Sequence, residues 1–250
     1  MKTPSIQKVI DRFIAEQDEV LRHWKAQYDL GHHLTANDMK HACTLALMSS
    51  ARNWEVFRSD WHIRAVANDA TALRLSLASR LLDIARQNSE SGRLLVEGLQ
   101  AAGIVVEVHL DKYPKVGTIE DLLDGGDKNV TFRDRKAAVA VADRELAPAF
   151  AARVKGLTDD DWRVIELITA TRNAIAHGSA ASVDRMNDAM RSMGSASTAR
   201  LRSLARPTNR VRRSGIGAYL NGRADTAAGD PSVRVVLLCR HLQNVATRLG

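Results

Sequence analysis

Apolar residues recur along most of this chain at three- and four-residue intervals, the spacing that gathers them on one face of an α-helix. In the first such run, residues 3 to 28, the pattern is carried by Ile6, Ile10, Phe13, Ile14, Val20, Leu21 and Trp24, with Thr3 placed to cap and Pro4 suited to the first helical position. A longer run, residues 36 to 70, carries Met39, Cys43, Leu47, Trp54, Phe57 and Trp61. Large aromatics three to four apart on a helix belong in a core or a helix-helix contact. Leu73, Leu77, Leu81 and Ile84 define a third helix, broken by the polar residues 88 to 92, and residues 93 to 102 a fourth, stopped by Gly103. Residues 133 to 155 read as helical with a bend at Pro148, and further helices are expected over 162 to 178, 183 to 193 and 232 to 249.

One stretch departs from this period. Residues 104 to 110 (IVVEVHL) are β-branched and alternate around Glu107 and His109, which predicts a strand. A lone strand makes no sheet, so its expected partner is the extended segment 129 to 132, reached across a turn at Gly125 and Gly126. The pattern as a whole predicts an all-α, up-and-down helical bundle with at most a small β-hairpin insertion. Its expected parts are the bundle over 1–193, an Arg-rich loop segment over 194–231, and a C-terminal helix over 232–250 that packs back on the bundle.

Composition sharpens the chemistry more than the fold. No stretch approaches twenty apolar residues, and the N-terminus is amphipathic rather than signal-like, so a soluble, cytoplasmic protein without membrane contact is expected. Cys43 and Cys239 lie in apolar helical surroundings and read as buried free thiols. His32 and His33 read as loop histidines. With no CxxC, no HExxH and no paired His-carboxylate cluster, no metal site and no cofactor is expected.

Charge is unevenly spread. The net charge is +7, yet residues 189 to 224 hold eight arginines and no Asp or Glu, so the whole excess lies there. Concentrated Arg fits a polyanion, because each neutralised phosphate releases counterions. Arg200, Arg202, Arg206, Arg210, Arg212 and Arg213 are therefore candidate RNA-binding residues, as a grip on the backbone that is indifferent to base sequence. A solvated loop is the alternative reading of the same run.

The helix at 162 to 178 precedes that run and has an unusual face. Thr158 followed by Asp159, Asp160 and Asp161 offers a capping hydroxyl, a carboxylate three residues on, and negative charge at the positive end of the dipole; Gly178 is a natural stop. Val164, Ile165, Ile168 and Ile175 share one arc, and Arg172 falls among them, where a guanidinium needs a partner or an anion. Glu55 and Glu145 are candidate structural partners. Asn173 and His177 are four apart and can touch, whereas Arg172 and His177 are five apart, about 140° around the axis. Two copies facing each other across a two-fold axis bring such residues together more easily than one.

The run RNAIAHG, residues 172 to 178, resembles the signature of the HEPN superfamily of small all-helical domains. Trp54, Glu55 and Phe57 on an earlier helix are similar to the aromatic pattern of its stand-alone bacterial, RiboL-PSP-like members. The likeness spans residues 36 to 190. Spacing alone is weak support, since the family pattern allows four to six residues between its Arg and His, and Arg234 and His241 also satisfy it within an apolar run. The resemblance implies a metal-independent endoribonuclease with Arg172, Asn173 and His177 as catalytic residues, a cleft formed between two protomers of a homodimer, and products ending in 2′,3′-cyclic phosphate. It also implies a toxin or phage-defence setting, with an antitoxin protein as partner. His177 is the proton-transfer group, and Arg172 presents a planar fork to the phosphorane. Two other readings remain: a catalytically inactive HEPN-like dimeric module for interaction or nucleotide binding, and a basic nucleic-acid-binding protein without catalysis.

Overall fold

A computed structural model describes residues 5–30, 33–124, 134–205, 209–224 and 233–250 of the chain. Among these the protein is all-α, with twelve α-helices and no strand beyond an isolated bridge between Arg223 and Val233. The strand expected at 104 to 110 does not form: the segment has no regular structure, and Val105 is 75% exposed. Its expected partner at 129 to 132, with Gly125 and Gly126, lies outside the described residues, as do Thr3, Pro4 and His32.

The chain divides into two compact units, one built on residues 59–155 and the other on residues 7–58 with 156–250. The boundary falls inside α2 (Ala36–Asn68), which gives its last ten residues to the first of these.

In that first unit, α3 (Thr71–Asn88), α4 (Glu90–Ala101), α5 (Val116–Asp124), α6 (Arg135–Glu145) and α7 (Pro148–Lys155) follow the end of α2. Ser89 ends α3 in an extended conformation and caps α4 by accepting from the Gly92 amide. The bend expected near Pro148 is a break: Pro148 opens α7, where its missing amide costs nothing. Leu73, Val96, Ile119, Ala138, Ala142 and Leu146 are buried, and Trp61 meets Phe150 edge-on at 6.3 Å. A buried hydrogen bond joins His62 Nε2 to Glu145 at 3.0 Å, and Arg144 also bonds that carboxylate.

The second unit holds α1 (Ile6–Asp29), the first part of α2, and then α8 (Asp159–His177), α9 (Ala180–Ser192), α10 (Ala199–Arg202), α11 (Ile216–Asn221) and α12 (Arg234–Arg248). Phe13 of α1 stacks on Phe57 of α2 at 4.6 Å and meets Trp54 at 5.7 Å, so the α2 aromatics are core. Buried polar groups tie the same two helices: Gln17 donates to Ser50 O at 3.1 Å, and Ser50 Oγ donates back to Gln17 Oε1 at 2.7 Å. From α12, Gln243 reaches Asp18 of α1 at 2.7 Å. Cys43 and Cys239 are buried and free, and burial pushes the Cys239 thiol up to about 11.

Within the span read as a loop, 194 to 231, the chain forms α10 and α11, and Leu204, Val211, Ile216, Tyr219 and Leu220 are buried. Apolar residues interleaved with the arginines explain this. They fasten the segment to the helices, while Arg200, Arg202, Arg210, Arg212 and Arg213 stay exposed.

Candidate functional site

Everything the motif needs begins with how α8 is held. Thr158 accepts from the Asp161 amide at 3.2 Å while Asp161 accepts from the Thr158 amide at 2.8 Å, a reciprocal capping box. The Asp161 carboxylate goes further: it takes Thr158 Oγ1 at 2.8 Å, His241 Nε2 at 2.9 Å and Arg248 Nη2 at 2.8 Å. Burial would push this carboxyl up, but the bonds from His241 and Thr158 and the charge of Arg248 outweigh it and hold it below the ordinary range. Next to it, Asp160 accepts from the Ser197 amide at 3.0 Å and pairs with Arg163 at 2.8 Å. One end of α8 thereby fastens both α12 and the chain just before α10.

Val164, Ile165, Leu167, Ile168, Thr171 and Ala174 form the buried face of α8. Leu167, Thr171 and Ala174 shift the centre of that face away from Arg172, which stands at its edge with its side chain 33% exposed; Ile175 is half-buried. Arg172 Nη2 lies 3.7 Å from Glu55 of α2, and its Nη1 donates to Asn173 Oδ1 at 2.9 Å. Glu55 also faces Arg58, whose guanidinium burial lowers to about 10 against the attraction of that carboxylate. One carboxylate thus stands between two arginines. Of the two partners expected for Arg172, Glu55 is the one found; Glu145 is bound by His62 and Arg144.

His177, the last residue of α8, is exposed, and its side chain makes no hydrogen bond among the described residues. It therefore meets neither Arg172 nor Asn173 within one chain. Gly178 follows with φ 63°, the left-handed conformation that closes a helix, and its amide returns to Ala174 O at 3.0 Å. The space that a side chain on Gly178 would occupy is filled by the guanidinium of Arg213. The motif end of α8 and the arginine-rich segment are therefore in contact, which spacing along the chain did not reveal.

The six candidate RNA-binding arginines differ in their freedom. Arg202 Nη1 donates to the carbonyls of Ala196 and Ser197 at 2.9 and 3.0 Å, and Arg210 pairs with Asp184 of α9. Arg206 lies outside the described residues. Arg200, Arg212 and Arg213 are exposed and have no ion-pair partner among the described residues. Arg210, Arg212 and Arg213 line an open pocket of about 670 Å³ with Asn209 and, from the first turn of α9, Ala180 and Val183. The course of this loop is set by Asn187, whose buried amide accepts from Val211 N at 2.9 Å and donates to Val211 O at 2.9 Å. Sequence reasoning missed Asn187, because a polar residue on α9 gives no sign of a partner 24 positions away.

The second Arg-to-His match, Arg234 and His241, is accounted for structurally. Arg234 stacks over Tyr219 at 5.0 Å and donates to the carbonyls of Ser203 and Tyr219, and His241 is the Asp161 ligand already described. Among the described residues no cluster of His, Cys, Asp and Glu is arranged to hold a metal ion, and no helix is long and apolar enough to cross a membrane. The chain matches no protein-family model, no curated protein and no solved structure.

Proposed function

We propose that the chain is a metal-independent endoribonuclease of HEPN type, acting as a homodimer. The observation that carries this reading is the state of His177: an exposed, unpartnered imidazole at the end of a helix whose other end is saturated with bonds. A structural histidine in such a setting would be expected to satisfy a neighbour, as His241 and His62 do. In the proposed reaction the 2′-hydroxyl oxygen gives up its proton and attacks phosphorus, the P–O5′ bond breaks to leave a 2′,3′-cyclic phosphate, His177 carries the proton to the leaving 5′-oxygen, and Arg172 donates to the nonbridging oxygens of the phosphorane. Asn173 and Glu55 orient that guanidinium. Glu55 does not exhaust it, since 3.7 Å is beyond a good hydrogen bond. Arg172 and His177 do not meet in one protomer, so the cleft is completed by a second copy. A toxin or phage-defence role, restrained by an antitoxin protein, is the setting that the HEPN resemblance suggests.

The test is incubation of purified protein with mixed RNA in excess EDTA, comparing wild type with Arg172→Ala and His177→Ala and mapping product ends. Cleavage by wild type alone, leaving 2′,3′-cyclic phosphate, is the expected result. Cleavage by all three marks a contaminant, and cleavage by none removes the enzyme reading.

One observation favours a second reading. The Arg172 to Glu55 pair is what a purely structural arginine would make, as in an inactive HEPN-like module for dimerisation or nucleotide binding. In that case Arg172→Ala lowers the melting temperature and there is no cleavage to lose.

A further inference from the structure

We propose that the pocket lined by the first turn of α9 and by Asn209, Arg210, Arg212 and Arg213 is a phosphate subsite, in which Arg212 and Arg213 hold one backbone phosphate of single-stranded RNA near the end of α8 that carries His177. The proposal rests on the RNA reading above, though not on cleavage. It separates two arginines from a run of eight that charge alone cannot tell apart.

Position is the first argument. Arg213 covers Gly178, the residue directly after His177, so an anion held by Arg213 lies at the end of α8 that carries the imidazole. Charge is the second. Arg210, the third arginine at the pocket, is neutralised by Asp184, whereas Arg212 and Arg213 have no ion-pair partner among the described residues. Two guanidiniums without ion-pair partners among the described residues leave uncompensated positive charge on one pocket of about 670 Å³, which favours an anion there. Third, α9 presents its first turn to the same pocket through Ala180 and Val183, and the positive end of a helix favours an anion there. The last argument is order. Because Asn187 grips both backbone groups of Val211, the residues on either side are positioned before any ligand arrives, and less conformational freedom is lost on binding.

A tetrahedral anion with several acceptor oxygens suits two planar forks better than a single carboxylate does. An acidic protein is the competing occupant. The lining favours RNA over it, since it contains no aromatic or large apolar anchor of the kind protein interfaces are built on.

The experiment uses the full chain carrying His177→Ala, so that RNA is bound and not cut. Affinity for a fluorescent single-stranded oligoribonucleotide is measured by anisotropy across a salt series. Adding Arg212→Ala with Arg213→Ala is expected to weaken binding roughly tenfold or more and to make the salt dependence shallower by about 0.7, one phosphate's worth for a single strand. A charge-matched control, Arg80→Ala with Arg240→Ala, should change affinity less than twofold. An oligonucleotide in which every linkage is a neutral methylphosphonate should bind the parent and the double variant equally weakly. Arg212→Lys with Arg213→Lys keeps the charge without the forks and guards against misfolding of the alanine pair; it should bind weakly while keeping the parent's melting temperature.

Equal losses in the control pair, a difference between parent and double variant that persists on the fully neutral strand, or unchanged affinity in the alanine pair would each overturn the subsite. Binding of an acidic peptide in preference to RNA would overturn it in favour of a protein partner. A wild type that never cuts RNA, combined with binding that depends on Arg212 and Arg213, removes the ribonuclease and leaves the subsite standing.

Discussion

The two ends of α8 are built on opposite plans. At its start, Asp161 accepts from Thr158, His241 and Arg248, and Asp160 from Ser197 and Arg163. At its finish, Arg172 is held loosely, the His177 side chain is unbonded among the described residues, and Arg213 lies over Gly178. Both ends carry ionisable side chains within a few residues of each other, so residue type does not separate them. Saturation does. A polar group whose donors and acceptors are already matched is part of the frame, and one left open to water at the end of a rigid element is free to meet a ligand.

The largest effect that tests this contrast is on activity. His177→Ala should lower RNA cleavage by about 10²- to 10⁴-fold, the usual contribution of a positioned acid or base, while the melting temperature stays within a degree of wild type. A fall in melting temperature comparable with that of variants at Asp161 would place His177 in the frame.

Asp161→Asn should give the reverse pattern. Taking one charge out of a buried network costs about 3 kcal/mol, to be read from chemical denaturation, and activity should fall only as far as the fold does. The same carboxyl has a pH signature. Its folded pKa is depressed, so the stability it contributes is present above the unfolded value of about 3.9 and is lost as pH falls through the folded one. The acid limb of the stability profile should therefore be flatter in Asp161→Asn. An unchanged limb would mean that other carboxylates, Glu145 among them, dominate acid unfolding.

Asn187→Ala is intermediate in size. It leaves the buried Val211 amide and carbonyl unmatched, at a cost of about 1–3 kcal/mol, and it should weaken RNA binding by loosening Arg212 and Arg213. Smallest is Gly178→Ala, where a left-handed backbone costs a β-carbon about 1 kcal/mol and the new methyl displaces Arg213. RNA affinity should drop more in this variant than its small loss of stability would suggest.

What could be read from the sequence follows the range of the interactions. Thr158, Asp161 and Gly178 were legible as helix start and stop because their partners lie within four residues. A Thr-x-x-Asp pattern equally starts α2, where Thr35 and Asp38 exchange bonds at 2.8 and 3.2 Å. The helical period placed Trp54, Phe57 and Trp61 in the core for the same local reason. Long-range partners were not legible: His241 and Arg248 stand 80 and 87 positions from Asp161, and nothing in either stretch announces the other. Residues 104 to 110 misled because β-branching describes a local preference, whereas a strand exists only with a neighbour to pair with. Arg172 looked more anomalous than it is, because an arc drawn through aliphatic residues alone left out Thr171 and Ala174, both fully buried.

Asn187 grips Val211 through the backbone alone, and this leaves the side chains on either side of it out of the folding problem. Positions 210, 212 and 213 can then exchange arginine for other residues without rerouting the chain. A lineage, or a protein engineer, could retune which strand is captured and how tightly by changing a few codons, while the scaffold beneath keeps its shape.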